Sequence, residues 1–162
     1  MTAGDRAGSA GGRDGLSVPG SAASGSALSI HGADPARHRL VREDAFAYLE
    51  GAVRAGKQFD LIVLDPPSFS TTSKNRFTTR GGTSELVTAA LPLLTDGGLM
   101  ITSSNHQKLD VADYLKELRR GALKAGCELR VISLSGQPED FPYPVSFPEG
   151  RYLKYVTCVK QA

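Results

Sequence analysis

Tryptophan is absent from the 162 residues, cysteine occurs only twice, and no apolar run approaches the length that crosses a bilayer. Cys127 and Cys158 lack Cys-x-x-Cys spacing, which excludes a disulfide framework and leaves no metal site to expect. A net charge of +2 is too small to name a polyanionic partner, so only a local basic cluster could do that. No apolar stretch follows Met1, so a secretory leader is not expected and a cytoplasmic protein is. The length suits one domain.

Large side chains are also scarce at the start. Residues 1–27 are mostly Gly, Ser and Ala, with Leu16 and Val18 the only large aliphatics after Met1. Ordering one residue costs roughly 1–2 kcal/mol of backbone entropy. Burying two aliphatics returns only about 3–6 kcal/mol in total. Residues 1–27 are therefore expected to be disordered, with a folded part over 28–162.

Beyond that point strand and helix patterns alternate. "HRLVRE" (38–43) alternates like a short strand, and Asp44 stands as an N-cap before a helix with Phe46, Leu49 and Val53 on one face. Gly56 ends that helix, and Phe59–Leu64 is a continuous apolar run of the kind buried on both faces of a sheet. "SELVTAALPLL" (84–94) reads as a helix, "DGG" (96–98) as a turn and "LMITSS" (99–104) as a strand. Asp110 caps a long helix that Gly126 closes, and "CELRVISL" (127–134) and "RYLKYVTCV" (151–159) are strands. The alternation predicts an α/β fold with a mostly parallel sheet and an antiparallel last strand.

The strand at 59–64 runs into Asp65-Pro66-Pro67. Open parallel sheets bind ligands beyond the carboxyl ends of their strands. A carboxylate beside two prolines, which fix the backbone and donate nothing, makes a rigid acceptor surface for a planar, amine-bearing ring. Phe69 could stack on such a ring. An ordinary strand-ending turn explains the same tripeptide.

"DLIVLDPPSFS…SK", the strand ending "ITSSNHQKL" and the late "DFP…FPEGRYLKYV" together resemble the class I S-adenosylmethionine-dependent methyltransferases of large-subunit (23S) ribosomal RNA. The resemblance covers about residues 30–160. It implies a Rossmann-like methyltransferase sheet, S-adenosylmethionine as cofactor and RNA as partner. It also implies that Asp44, with the Ala45 backbone nearby, receives the adenine amino group. Asp65, Pro66 and Pro67 match the motif between methyl donor and base. The family's first two strands and the glycine-rich loop holding the methionine moiety have no counterpart: no "DxFxGxG"-like stretch occurs in the sequence. The chain thus reads as the C-terminal half of a catalytic domain, either working within an enzyme or as a catalytically silent fragment that at most binds RNA or a complementary chain.

The cytosine-C5 branch of that family carries a cysteine just after the strand matching Leu99–Thr102, where this sequence has Ser103, Ser104, Asn105 and His106. A serine hydroxyl is too weak a nucleophile to replace a thiolate without a strong base. "SSNHQKL" looks more like the guanine-N7 branch, whose acceptor already carries a lone pair and needs placement rather than covalent activation. Asn105 could then orient the base edge, and His106 either meets a phosphate or caps the next turn. Residues 71–84 carry Lys74, Arg76 and Arg80 around Phe77, a basic loop suited to phosphate contact and stacking, or simply a solvated loop.

Overall fold

In the computed structural model, residues 3–5, 34, 38–66 and 82–161 are described. They form β1 (Ala3–Asp5), α1 (Ala45–Arg54), β2 (Phe59–Leu64), α2 (Thr83–Ala90), β3 (Leu94–Ser104), α3 (Val111–Ala125), β4 (Glu128–Ser135) and β5 (Lys154–Gln161). The sheet order is β1-β2-β3-β5-β4. β2 and β3 are parallel, and β5 lies antiparallel between β3 and β4. The Rossmann-like α/β expectation and the antiparallel last strand both hold. The mostly parallel pairing does not: among the described strands only β2 and β3 pair in parallel, because β1 and β5 both run against their neighbours.

Local chemistry sets the helix ends. Asp44 Oδ1 accepts from the Phe46 and Ala47 amides at 3.1 Å each. Asp110 Oδ1 likewise accepts from the Asp113 amide at 2.7 Å. Gly126 closes α3 in the left-handed conformation with φ 72°, a geometry costly for any residue with a Cβ. α2 stops at Ala90, four residues short of the expected end, because Pro92 cannot continue an α-helix; Leu91–Leu93 tighten into a 3-10 turn.

Several expectations need correction. Residues 38–43 are not a strand; Leu40 and Val41 are exposed there, with no strand beside them among the described residues. β1 occupies the edge of β2 instead, pairing Ala3 with Ile62 and Asp5 with Phe59. Ala3–Asp5 are thus a strand inside the stretch expected to be disordered, because β2 offers them unpaired backbone groups. The remaining residues of 1–27 lie outside the described residues. On α1 the third inward residue is Ala52, while Val53 is exposed. β3 starts at Leu94 rather than Leu99, and "DGG" is an irregularity within it, with Gly97 at φ 78°. β5 starts at Lys154, three residues later than expected, and Cys127 sits just before β4 rather than within it.

β2 is not buried on both faces. Ile62, Leu64, Met100, Val156 and Cys158 form one fully covered face, which joins Phe46, Leu49, Val87, Tyr114, Leu118 and Ala122 of the three helices in one core. The opposite face pairs Leu61 with Leu99 and Val63 with Ile101. It continues through Val159, Thr157 and Tyr155, and all of these are only half-buried or exposed.

Candidate functional site

Strand direction brings the candidate residues to one edge. β2 and β3 end there at Leu64 and Ser104, and the pairing of Ser104 with Lys154 and of Ser135 with Tyr155 places the end of β4 and the start of β5 beside them. α1 must run back along the sheet to deliver the chain to the start of β2, so Asp44 belongs to this edge as well. Its two capping bonds use Oδ1 alone, and capping and ligand binding are compatible roles.

Asp65 is exposed at the end of β2, with half-buried Pro66 after it. The Ser103 hydroxyl donates to Asp65 Oδ1. This contact follows from register: Leu64 lies opposite Thr102, so the next residue on each strand meets its neighbour. Ser103 opens the Ser103–His106 stretch, which contains no cysteine, and here it holds a carboxylate. Beneath the corner, the hydroxyls of Thr102 and Tyr114 are shut off from solvent without a hydrogen bond of normal geometry, although the Thr102 hydroxyl lies close enough to oppose the rise in the Tyr114 pKa. Burial nevertheless pushes Tyr114 up to about 12.

Asn105 is exposed just past β3, and His106 is half-buried. The His106 amide donates to Ser104 Oγ at 3.4 Å, and its carbonyl accepts from the Leu109 amide at 3.2 Å. The backbone of His106 therefore closes the turn that leads into α3.

Sequence reasoning missed Lys154. Its ammonium, buried on the helix-covered face, donates to the carbonyls of His106 and Tyr152 at 2.7 Å each. Burial lowers its pKa, and nearby Asp110 pulls the other way. It thereby ties the Asn105–His106 turn to β5. The signal was present: Lys154, Val156 and Cys158 share one face by alternation, which puts a lysine on an apolar stripe where it needs acceptors.

Pro67, Phe69, Lys74, Arg76, Phe77 and Arg80 lie outside the described residues. Neither cysteine reaches the corner. Cys127 precedes β4, at the opposite edge of the sheet, and Cys158 is buried in the middle of β5 against Met100 and Val131. Burial raises both thiols, Cys158 to about 11.

No family model matches the chain. The chain is 32% identical over 125 residues to the ribosomal RNA large subunit methyltransferase I of Aeromonas hydrophila, a match covering 77% of this chain and 32% of that protein. The protein of the same name from Yersinia pseudotuberculosis is 30% identical over 131 residues, covering 81% of this chain and 33% of the relative. The chain thus spans about one third of the length of these relatives. Among solved structures, a protein described as a methyltransferase and crystallised with SAH superposes with a TM-score of 0.71 at 28% identity, covering 84% of this chain and 35% of that one. A protein described as an S-adenosylmethionine-dependent methyltransferase from Streptococcus mutans gives 0.68 at 29% identity, covering 84% and 34%.

Proposed function

This chain belongs to the class I methyltransferase family that includes the large-subunit ribosomal RNA methyltransferases, and from that premise we propose that it supplies the C-terminal half of the catalytic domain of an S-adenosylmethionine-dependent RNA methyltransferase. The observation that carries the reading is the Asp65–Ser103 contact at the carboxyl edge of parallel strands, where this architecture binds its ligands.

The residues present suit one end of the cofactor. Asp44, at a helix N-terminus on the same edge, offers a carboxylate to an adenine amino group, with the Ala45 backbone beside it. The cofactor, when bound, supplies the electrophilic methyl group. The chain's own residues do the rest. Asp65, held by Ser103, presents an acceptor beside Pro66 and Pro67 for an amine-bearing base. Asn105 orients the base edge from the end of β3. His106, Phe69, Lys74, Arg76 and Arg80 contact RNA around it, with 23S ribosomal RNA as the substrate.

Site chemistry favours guanine-N7 transfer over cytosine-C5 transfer. A C5 enzyme needs a thiolate against the base, and both thiols here lie away from Asp65 and are held protonated by burial. N7 transfer needs only in-line placement and exclusion of water. A second reading, a silent partial domain that binds RNA or a complementary chain, draws on the absence of any "DxFxGxG"-like stretch in the sequence.

A chimera decides between them. Residues 38–161 replace the matching segment of the Aeromonas relative, and the product is incubated with ribosomal RNA and labelled cofactor, then digested. Methyl transfer yielding 7-methylguanosine, with a loss of at least about 100-fold in Asp65→Ala, is expected; about 3 kcal/mol of transition-state stabilisation corresponds to that factor. A 5-methylcytidine product would overturn the N7 chemistry. An inactive but folded chimera would favour the silent domain.

A further inference from the structure

The connection between β4 and β5 emerges at the same edge as Asp65 and carries an apolar surface that the proposed chemistry leaves unused. Phe141, Tyr143, Val145 and Phe147 are all exposed, Val145 to 96% and Phe141 and Phe147 to 55% and 52%. This surface is held in place. Prolines at 138, 142, 144 and 148 fix the backbone between the aromatics. Successive turns close it: the Phe141 amide donates to Pro138 O at 3.0 Å, Phe147 to Pro144 O at 2.9 Å, and Gly150 to Phe147 O at 3.0 Å.

Gly150 shows how closely two of the rings are set. A Cβ there would lie 2.7 Å from Tyr143 Cβ and 3.4 Å from Phe147 Cδ1, so the missing side chain is what lets both residues close over the backbone. The buried Gly150 also accepts from the Gln137 side chain through its carbonyl, which ties the far end of the loop to the end of β4. These aromatics cover Gly150, yet 40% of Tyr143 and 52% of Phe147 stay open to solvent, apolar surface beyond what the fold's own packing uses.

We propose that Tyr143 and Phe147, closed over Gly150, form a stacking platform for unpaired RNA bases flanking the nucleotide presented at Asp65. Phe141 and Val145 extend the apolar surface of the same loop. The proposal rests on the RNA methyltransferase reading. Three acids, Glu139, Asp140 and Glu149, stand against Arg151 in this loop, so phosphate attraction is not its source of affinity. Base faces are apolar, indifferent to that charge, and available in single-stranded RNA, which is read largely by stacking on aromatics.

The test uses the full 162-residue chain and a fluorescently labelled single-stranded RNA 12-mer, with binding followed by anisotropy across a salt series. Tyr143→Ala and Phe147→Ala should each weaken binding about 5- to 150-fold, the factor that matches the stacking of one base. The salt dependence should keep its slope, whereas loss of a phosphate contact would lower it. Tyr143→Phe and Phe147→Tyr should bind like wild type, and Gly150→Ala, which displaces Tyr143, should bind weakly. Circular dichroism confirms that each variant is folded. Wild-type affinity in both alanine variants overturns the platform while leaving the RNA reading standing. Equal affinity for duplex RNA, or no RNA binding by the wild-type chain at low salt, also overturns it. Wild-type self-association that the alanine variants abolish would assign the surface to a second copy and overturn it as well.

Discussion

Tyr114 shows what a single buried acid does to stability. Burial raises its hydroxyl from 10.0 to about 12, opposed by Thr102 and reinforced by Cys158 and Asp65. The folded chain then keeps a proton that the unfolded chain releases. Stability from this group is complete below pH 10 and declines as pH rises from about 10 to 12. Cys158, raised from 9.0 to about 11 by burial, begins the same loss near pH 9. Lys154 works in the opposite sense, because burial disfavours its ammonium and its cost shrinks as pH rises toward 10.5. Tyr114→Phe removes a hydroxyl with no partner of normal geometry, so stability at pH 7 should change by less than about 1 kcal/mol. The decline above pH 10 should flatten. Urea midpoints at pH 7, 9 and 10.5 measure both, and an unchanged alkaline slope would remove Tyr114 from the account. At this scale the sequence was legible where one residue acts through its own neighbours: Asp65 ends an apolar run, and Asp44 and Asp110 precede helical patterns. Ser103 as the partner of Asp65 was not legible, because the contact depends on a strand register separated by 38 positions in the chain.

Elements were legible wherever their ends are chemical and illegible wherever their existence depends on a neighbour. Gly126 and the two aspartate caps mark boundaries that need no tertiary information, and Pro92 stops α2 just as chemically although the expected helix ran past it. The alternation in "HRLVRE" is as regular as that of β5, yet only β5 has strands on both sides to complete its hydrogen bonds. Helix contact depends on neighbours in the same way. Gly121, in the middle of α3, would place a Cβ 2.7 Å from Val87 Cγ1 and 2.8 Å from Ser84 O of α2. The Thr88 hydroxyl also donates to Gly121 O at 3.3 Å, so the two backbones meet at this point. Gly121→Ala should gain about 0.5–1 kcal/mol in helix propensity. It should lose more, about 1–3 kcal/mol, by forcing a methyl against backbone that cannot yield cheaply. A net loss of roughly 1–2 kcal/mol, read as a lower urea midpoint, is expected. A stabilised variant would mean that α2 and α3 slide apart freely and that the close approach has no energetic weight.

The whole molecule is one-sided: among the described residues, every buried hydrophobic side chain of the helices belongs to the core on one face of the sheet, while Leu61, Val63, Leu99, Ile101 and Tyr155 line a face that no described helix covers. The chain also spans about a third of the length of its relatives. Composition and periodicity reported neither fact, since they describe what a segment can form and not what must lie against it. The comparison with the family's motif order was more informative, because it showed that no glycine-rich loop of the "DxFxGxG" kind occurs within these 162 residues. That loop bears on affinity. In the proposed reading Asp44 accepts the adenine amino group and Asp65 and Pro66 flank the methyl donor, but nothing in the 162 residues matches the motif expected to hold the methionine carboxylate and amine. Micromolar binding corresponds to about −8 kcal/mol. One charge-assisted hydrogen bond at Asp44 contributes about 1.5–3 kcal/mol, and partial contact around the proline corner does not make up the difference. The isolated chain should therefore bind S-adenosylmethionine with a dissociation constant above about 100 μM, equivalent to less than about 5.5 kcal/mol. Calorimetric titration of the 162-residue chain with S-adenosylmethionine and with adenosine checks this. The two ligands should bind with similar weak affinity if only the adenine end is held. Micromolar binding of S-adenosylmethionine together with weak adenosine binding would mean that this chain holds the methionine end through residues outside any glycine-rich loop, and the division of the cofactor site would then have to be redrawn.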